Sequence, residues 1–167
     1  DITDIEQQLL DRGAWYQAED NGYFRIQQTR PQTLGTGLND SPAGLLAWIT
    51  EKFYGWTDND GDLFSIIDKD KLLANVSLYW FTGTINSSTR IYYEMFKTLE
   101  PEFGATGETP VGVSVFPYEL MMPRKRWVED SMNLILWNEH AKGGHFASLE
   151  APDIFVEDVR ECFRGLR

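Results

Sequence analysis

A chain of 167 residues, 42% hydrophobic and 14% aromatic, is long enough to bury a sizeable core and lies far from disordered compositions. Its 26 acidic residues outnumber 15 basic ones for a net charge of −11, and a surface of that sign repels phosphate backbones, so no nucleic acid partner is expected. Cys162 is the single cysteine and no apolar run approaches the roughly 20 residues of a membrane span; without a disulfide framework or signal-peptide order, a soluble chain is expected, with a cytoplasmic location permitted.

Residues 1 to about 100 read as helices separated by polar turns. Thr3 and Glu6 have the spacing of a capping box and predict a helix to about Tyr16, with Ile5, Leu9 and Tyr16 on one stripe. Ser41 followed by Pro42 starts a second helix, in which Leu45, Leu46, Ile49 and Phe53 recur at helical spacing until Gly55, with Trp48 and Trp56 adding bulk. Thr57 to Asp62 is a polar acidic turn. Its Asp58, Asp60 and Asp62 alternate as in a calcium loop, but Lys69 stands where the EF-hand pattern needs its bidentate carboxylate. A solvated surface loop is expected there. Asp68 can cap a third helix carrying Leu72, Val76 and Tyr79, and Gly83 breaks it before a fourth opening near Asn86 to Ser88.

The organisation changes near Pro101 to Pro110, which divides the chain into residues 1–100 and 101–167. Val111, Val113 and Val115 alternate into Phe116-Pro117 as a strand ending at a stop signal. Pro123 to Asp130 fits a helix. Asn133 to Trp137 is a continuous apolar run of the kind found in a parallel strand covered on both faces. Pro152 opens the last helix, with Phe155, Val159, Phe163 and Leu166 expected to face inward and Cys162 an ordinary buried or half-buried thiol. Apolar strands alternating with helices imply an α/β fold with right-handed crossovers in a parallel sheet. Two strands leave an edge and a face uncovered, so further strands are expected from elsewhere.

The segment from Gly143 to Pro152 sets His145 on a glycine-made turn after an apolar strand and before an amphipathic helix. In open α/β sheets, reactive groups collect on loops beyond the carboxyl ends of strands. Glu119 lies just after the strand ending at Phe116 and His145 several residues after the one ending near Trp137, so neighbouring strands would deliver an acid and an imidazole to one edge. A carboxylate bonded to one ring nitrogen fixes the tautomer and stabilises the imidazolium formed when the other nitrogen takes a proton. Spacing alone leaves this reading level with a surface histidine and a helix-capping glutamate. His140 and His145 lack a third ligand beside them, so no metal is expected. Arg124-Lys125-Arg126 has no glycine-rich loop near it and reads as a solvated face.

Four pieces resemble the α/β-hydrolase-fold epoxide hydrolases of the microsomal type. They are Gly22-Tyr23-Phe24 running to Thr29-Arg30-Pro31; Leu38-Asn39-Asp40-Ser41-Pro42-Ala43-Gly44-Leu45; Val76-Ser77-Leu78-Tyr79-Trp80; and Phe116-Pro117-Tyr118-Glu119 with Gly143-Gly144-His145-Phe146. Together they span nearly the whole chain in the family's order. The resemblance implies that residues 1–100 are a helical lid and residues 101–167 the C-terminal part of an α/β-hydrolase core, incomplete without an N-terminal half. It implies that Tyr23 and Tyr92 donate hydrogen bonds to the epoxide oxygen. Tyr93, one residue on, would face another side of a helix, about 100 degrees away. A phenol of pKa about 10 can donate to a developing alkoxide without being ionised.

The same resemblance implies an aspartate nucleophile that forms an ester with the epoxide, and His145, oriented by Glu119, activating the water that hydrolyses it, with no cofactor. The family's nucleophile sits on a sharp turn after an earlier strand. Asp1 and Asp4 stand in a capping stretch without such a turn, and the chain begins at Asp1 rather than Met. It therefore reads as the second half of an enzyme, cleaved or excised. The expected partners are an apolar small-molecule epoxide and the N-terminal half of the same enzyme; uncovered strand edges would favour aggregation or a homodimer in isolation. An esterase or haloalkane dehalogenase using the same pair, and a non-catalytic piece binding apolar ligands or a protein, are the rival readings.

Overall fold

A computed structural model of the chain describes residues 2–98, 107–121 and 124–166. In chain order the elements are α1 (Asp4–Trp15), a π-helical turn (Tyr16–Asp20), α2 (Gly22–Thr29), α3 (Pro31–Asp40), α4 (Pro42–Trp56), α5 (Leu63–Ile66), α6 (Lys69–Thr82), α7 (Ile85–Thr98), β1 (Gly107–Val115), α8 (Lys125–Ser131), β2 (Met132–Glu139), α9 (Ala147–Glu150) and α10 (Pro152–Arg164). They form two compact units: Asp1–Trp15, Trp56–Ile66 and Phe103–Arg167 make one, and Tyr16–Gly55 with Ile67–Glu102 the other. Two stretches from the first hundred residues thus pack with the C-terminal region.

The second of these units is helical. Its α2 stops at Arg30 because the following proline ring disfavours helical geometry there, and Arg30 takes φ −140° and ψ 52°. Pro31 then occupies the start of α3, where its missing N–H is no loss. Neither helix was among those expected, because the Gly- and Thr-rich stretch Thr33 to Gly37 has weak helix propensity. Helix α4 opens as expected, with Gly44 N donating to Ser41 Oγ at 3.0 Å. Of its expected stripe, Leu45 and Phe53 are buried whereas Leu46 is exposed. Asp68 caps α6 by accepting from Lys71 N at 2.9 Å, and Gly83 ends it in the left-handed region at φ 64°. Leu38, Leu45, Val76 and Ile85 form the core of this unit, with Trp48, Ile49, Tyr79 and Trp80 packed around them.

In the other unit the capping box forms: Thr3 N donates to Glu6 Oε2 at 2.8 Å and Glu6 N to Thr3 Oγ1 at 3.3 Å. Glu6 also accepts from Arg124 Nε at 2.9 Å. That guanidinium, with the Thr3 N–H, holds the Glu6 carboxyl down to about 2. Arg124 is therefore not part of a solvated basic face; its half-buried fork ties α1 to the start of α8. Lys125 and Arg126 do stay on the surface, 3.8 and 3.9 Å from Glu129 and Asp130 one turn on.

Strands β1 and β2 pair in parallel, Val113 opposite Trp137 and Val115 opposite Glu139, with α8 in the connection. Two expectations fail here. Ile135 is exposed, so β2 is not covered on both faces, and Phe155, Val159, Phe163 and Leu166 are exposed rather than inward. The rotation of α10 is set instead by Asp158, which is buried and accepts from Ser114 Oγ at 2.6 Å and Asn138 Nδ2 at 2.7 Å while meeting His140 Nε2 at 2.6 Å. Burial pushes this carboxyl up, but the three partners outweigh it and hold it below its ordinary value. One turn on, half-buried Cys162 lies so close to Gly112 that a Cβ there would sit 2.6 Å from its sulfur. No helix among the described residues is long and apolar enough to cross a membrane.

Helices α3 and α7 pack closely, and a Cβ on Gly35 would fall 2.9 Å from Asn86 Cα. Backbone cannot yield as a side-chain tip can. Gly35→Ala should therefore destabilise the protein by roughly 1–3 kcal/mol despite the better helix propensity of alanine, read as a lower urea midpoint. An unchanged or raised midpoint would contradict this packing.

Candidate active site

Parallel pairing does not stop at the strand ends. Tyr118 and Gly144 form a further parallel bridge, with Tyr118 N donating to Gly143 O at 3.1 Å. The next residue on each side is Glu119 and His145, and their side chains meet, Nδ1 to Oε1 at 2.8 Å. Leu120 N donates to the same oxygen at 2.6 Å. The imidazole is exposed, at 39% for its side chain, and the carboxylate is half-buried at 24%. Burial pushes Glu119 up, yet the bond to His145 and the N–H groups of Leu120 and Met121 outweigh it, so the group lies below its ordinary 4.5. Facing an ionised carboxylate, Nδ1 carries the proton, a tautomer assigned from the network, and Nε2 is left as the acceptor. Such a pair can take a proton from water and stabilise the resulting cation.

The turn that carries the imidazole needs its two glycines for different reasons. Gly143 sits at φ 100°, a conformation that side chains rarely adopt. At Gly144 a Cβ would lie 2.5 Å from Trp56 O. Two further segments, Trp56 to Asp58 and the end of α9, hold this turn. Gly143 N donates to Asp58 Oδ2 at 3.0 Å, His145 N to Trp56 O at 3.0 Å and Phe146 N to Glu150 Oε1 at 2.9 Å. Glu150 Oε2 accepts from Asp58 N at 2.8 Å. The acidic turn is consequently only in part the solvated surface loop expected from its composition: Asp60 to Asp62 are exposed, but its first half is not. Thr57 and Asn59 in it are buried, and Asn59 Oδ1 accepts from Gly61 N at 2.8 Å. The Trp56 ring lies edge-on to His145, centroids 5.1 Å apart, and stacks on Phe146 at 6.1 Å. Asp58 and Glu150 escaped sequence reasoning because what they bind is backbone, which leaves no mark in residue type.

The expected tyrosines lie in the helical unit. Tyr23 and Tyr92 meet edge-to-face with ring centroids 6.0 Å apart. Tyr16 and Tyr23 share a hydroxyl hydrogen bond of 3.0 Å, and Lys52 Nζ, ion-paired with Asp20, stands 4.8 Å over the Tyr23 ring. Burial, and for Tyr23 also the bond to Tyr16, raises both phenols above their ordinary value. Both are therefore protonated at neutral pH. Tyr93 lies elsewhere, beside Thr29, Arg30 and Arg90. His140 is turned to Asp158 rather than to His145. Among the described residues no group of three or more His, Cys, Asp or Glu side chains is placed to hold a metal ion.

A parallel strand pair with helical connections, presenting a carboxylate and an imidazole from adjacent loops at its carboxyl end, is the arrangement of α/β-hydrolase-fold proteins. Solved structures agree. The Aspergillus niger epoxide hydrolase superposes with a TM-score of 0.84 at 31% identity, covering 99% of this chain and 41% of that one. In sequence the chain is 50% identical to a Stigmatella aurantiaca protein named as an epoxide hydrolase, over all of this chain and 38% of the relative. It is 40% identical to epoxide hydrolase 1 of Sus scrofa, over 88% of this chain and 34% of the relative. No family model matches the chain. By sequence and fold together the chain matches a segment of the epoxide hydrolases of the α/β-hydrolase fold, and it spans about two fifths of their length, 38% in the Stigmatella relative.

The depressed Glu119 carboxyl has a pH consequence. A group whose folded pKa is lowered contributes stability that is present above its ordinary 4.5 and lost as pH falls through the folded value. The stability gap between wild type and Glu119→Gln should therefore be full at neutral pH and narrow on the acid side, as measured by urea unfolding across a pH series. A gap independent of pH would contradict the assignment.

Proposed function

We propose that this chain is the lid and C-terminal core segment of an enzyme that hydrolyses an apolar epoxide to a vicinal diol through an aspartyl ester. The nucleophilic aspartate belongs to residues outside the chain. The observation that carries this reading is the 2.8 Å contact between Glu119 and His145, in a chain whose relatives are named epoxide hydrolases. The aspartate attacks a ring carbon, the carbon–oxygen bond breaks, and charge develops on the ring oxygen. Tyr23 and Tyr92 donate to that oxygen, and their raised pKa values keep the donor protons in place. In the second step Nε2 of His145 takes a proton from water as its oxygen adds to the ester carbonyl, and Glu119 stabilises the imidazolium. Collapse of the adduct breaks the ester bond, the two protons of the water end on the two oxygens of the diol, and the carboxylate and the neutral imidazole are regenerated.

The reaction consumes water alone and calls for no cofactor. An N-terminal half of the same enzyme is the proposed partner, and the exposed Ile135, Phe155, Val159 and Phe163 support a surface made to be covered. An esterase or dehalogenase would use the same acid and imidazole; the paired phenols favour a substrate whose leaving oxygen stays attached and must be stabilised.

In the full-length protein, His145→Ala should let the enzyme ester accumulate on mixing with styrene oxide, seen as an adduct by intact-mass spectrometry, with turnover falling about 100-fold or more. Steady turnover at the wild-type rate would contradict the role of the imidazole. Tyr23→Phe should instead slow adduct formation, on the order of tenfold or more. An unaffected alkylation rate would remove Tyr23 from the site.

A further inference from the structure

Histidines on exposed loops are ordinarily mobile, yet the backbone around His145 is fixed at three donors. Gly143 N is held by Asp58, His145 N by the Trp56 carbonyl and Phe146 N by Glu150. Two of these three acceptors are carboxylate oxygens, and charge-assisted bonds of this kind are roughly twice as strong as neutral ones. The two carboxylates are joined in turn, because Asp58 N donates to Glu150 Oε2 at 2.8 Å. One chain segment between α4 and α5 and one at the end of α9 therefore close on the imidazole turn from two sides.

We propose that Asp58 and Glu150 are positioning residues for His145, a two-carboxylate clamp on the backbone of Gly143 to Phe146 that aims the imidazole at Glu119. This inference rests on the reading of His145 as the base for ester hydrolysis. The arrangement has a cost that a simple loop closure would not need. Burial pushes Glu150 up, and the nearby Asp58 charge pushes the same way against the backbone N–H groups that favour the anion; the carboxyl ends above its ordinary value. Neutral acceptors would close the loop without that repulsion. What the carboxylates add is stiffness at the dihedrals that direct the ring, and a misplacement of about 1 Å at a reacting group can cost on the order of 100-fold in rate.

The test uses full-length protein carrying Asp58→Ala, Asp58→Asn or Glu150→Gln, with styrene oxide as substrate. Single-turnover mass spectrometry separates alkylation from ester hydrolysis, and proton NMR follows the low-field Nδ1 proton of His145. Asp58→Ala and Glu150→Gln should slow ester hydrolysis by roughly 10- to 100-fold, leave alkylation within about twofold, and shift or broaden the Nδ1 signal. Asp58→Asn, which keeps an oxygen for Gly143 N but not the charge, should fall between Asp58→Ala and wild type. Folded variants with unchanged hydrolysis and an unchanged Nδ1 signal would overturn the proposal, as would equal slowing of both steps. If Glu150→Gln does not fold, the two Asp58 variants decide. If wild-type protein forms no ester with the epoxide, the proposed function fails, and the Nδ1 signal in the Asp58 variants alone supports or overturns the clamp.

Discussion

Two adjacent strands that run the same way must deliver their following loops to the same side, and here the pairing continues through Tyr118 and Gly144 past the ends of β1 and β2. That continuation fixes where the next residues lie. Glu119 and His145, 26 positions apart in sequence, fall side by side because each is one residue beyond the bridge. Every chemical property of the pair follows: the proton held on Nδ1, the lowered carboxyl and the acceptor left at Nε2. Helix α10 secures the same edge from behind, since Asp158 gathers Ser114, Asn138 and His140 from the ends of both strands.

The chain carries a net charge of −11, and its acidic side chains divide by environment rather than by type. Exposed ones such as Glu129 and Asp130 meet lysine and arginine along their own helix at 3.8 and 3.9 Å, where screening leaves little net effect. Those partly withdrawn from water have specific partners instead. Glu6 binds Arg124, Asp158 binds three strand-end groups, and Glu150 with Asp58 binds backbone N–H groups. The direction of each shift records the neighbours: partners that favour the anion depress Asp158, whereas burial and a second carboxylate raise Glu150. The same residue type thus serves as ion pair, helix anchor, loop clamp and orienting acid within one chain.

The helical unit places its chemistry differently. Aromatic side chains cluster through Tyr16, Tyr23, Phe24 and Tyr92, with ring centroids 5.5 to 6.5 Å apart in edge-to-face contacts. Such packing withdraws the phenols from water and keeps them protonated, so the candidate donors are members of an aromatic cluster rather than of the largely aliphatic core around Leu45.

Local chemistry was legible directly from the residues. The Thr3–Glu6 box, the Ser41 and Asp68 caps, the Gly83 stop and the parallel strand pair all follow from side-chain type and short spacing, because the forces behind them act within a few residues. The motif around His145 and the carboxylate after β1 were readable for the same reason, and a family likeness marked Tyr23 and Tyr92. What composition misjudged was whichever surface meets another segment. The acidic turn reads as solvated, yet its Thr57 and Asn59 are buried. The apolar stripe of α10 reads as inward, yet buried Asp158 fixes the helix the other way. Sequence determined which groups can bond, since that is a property of each side chain. Tertiary structure alone decided which backbone N–H groups Asp58 and Glu150 would hold, because every residue but proline offers the same donor and only distance selects among them.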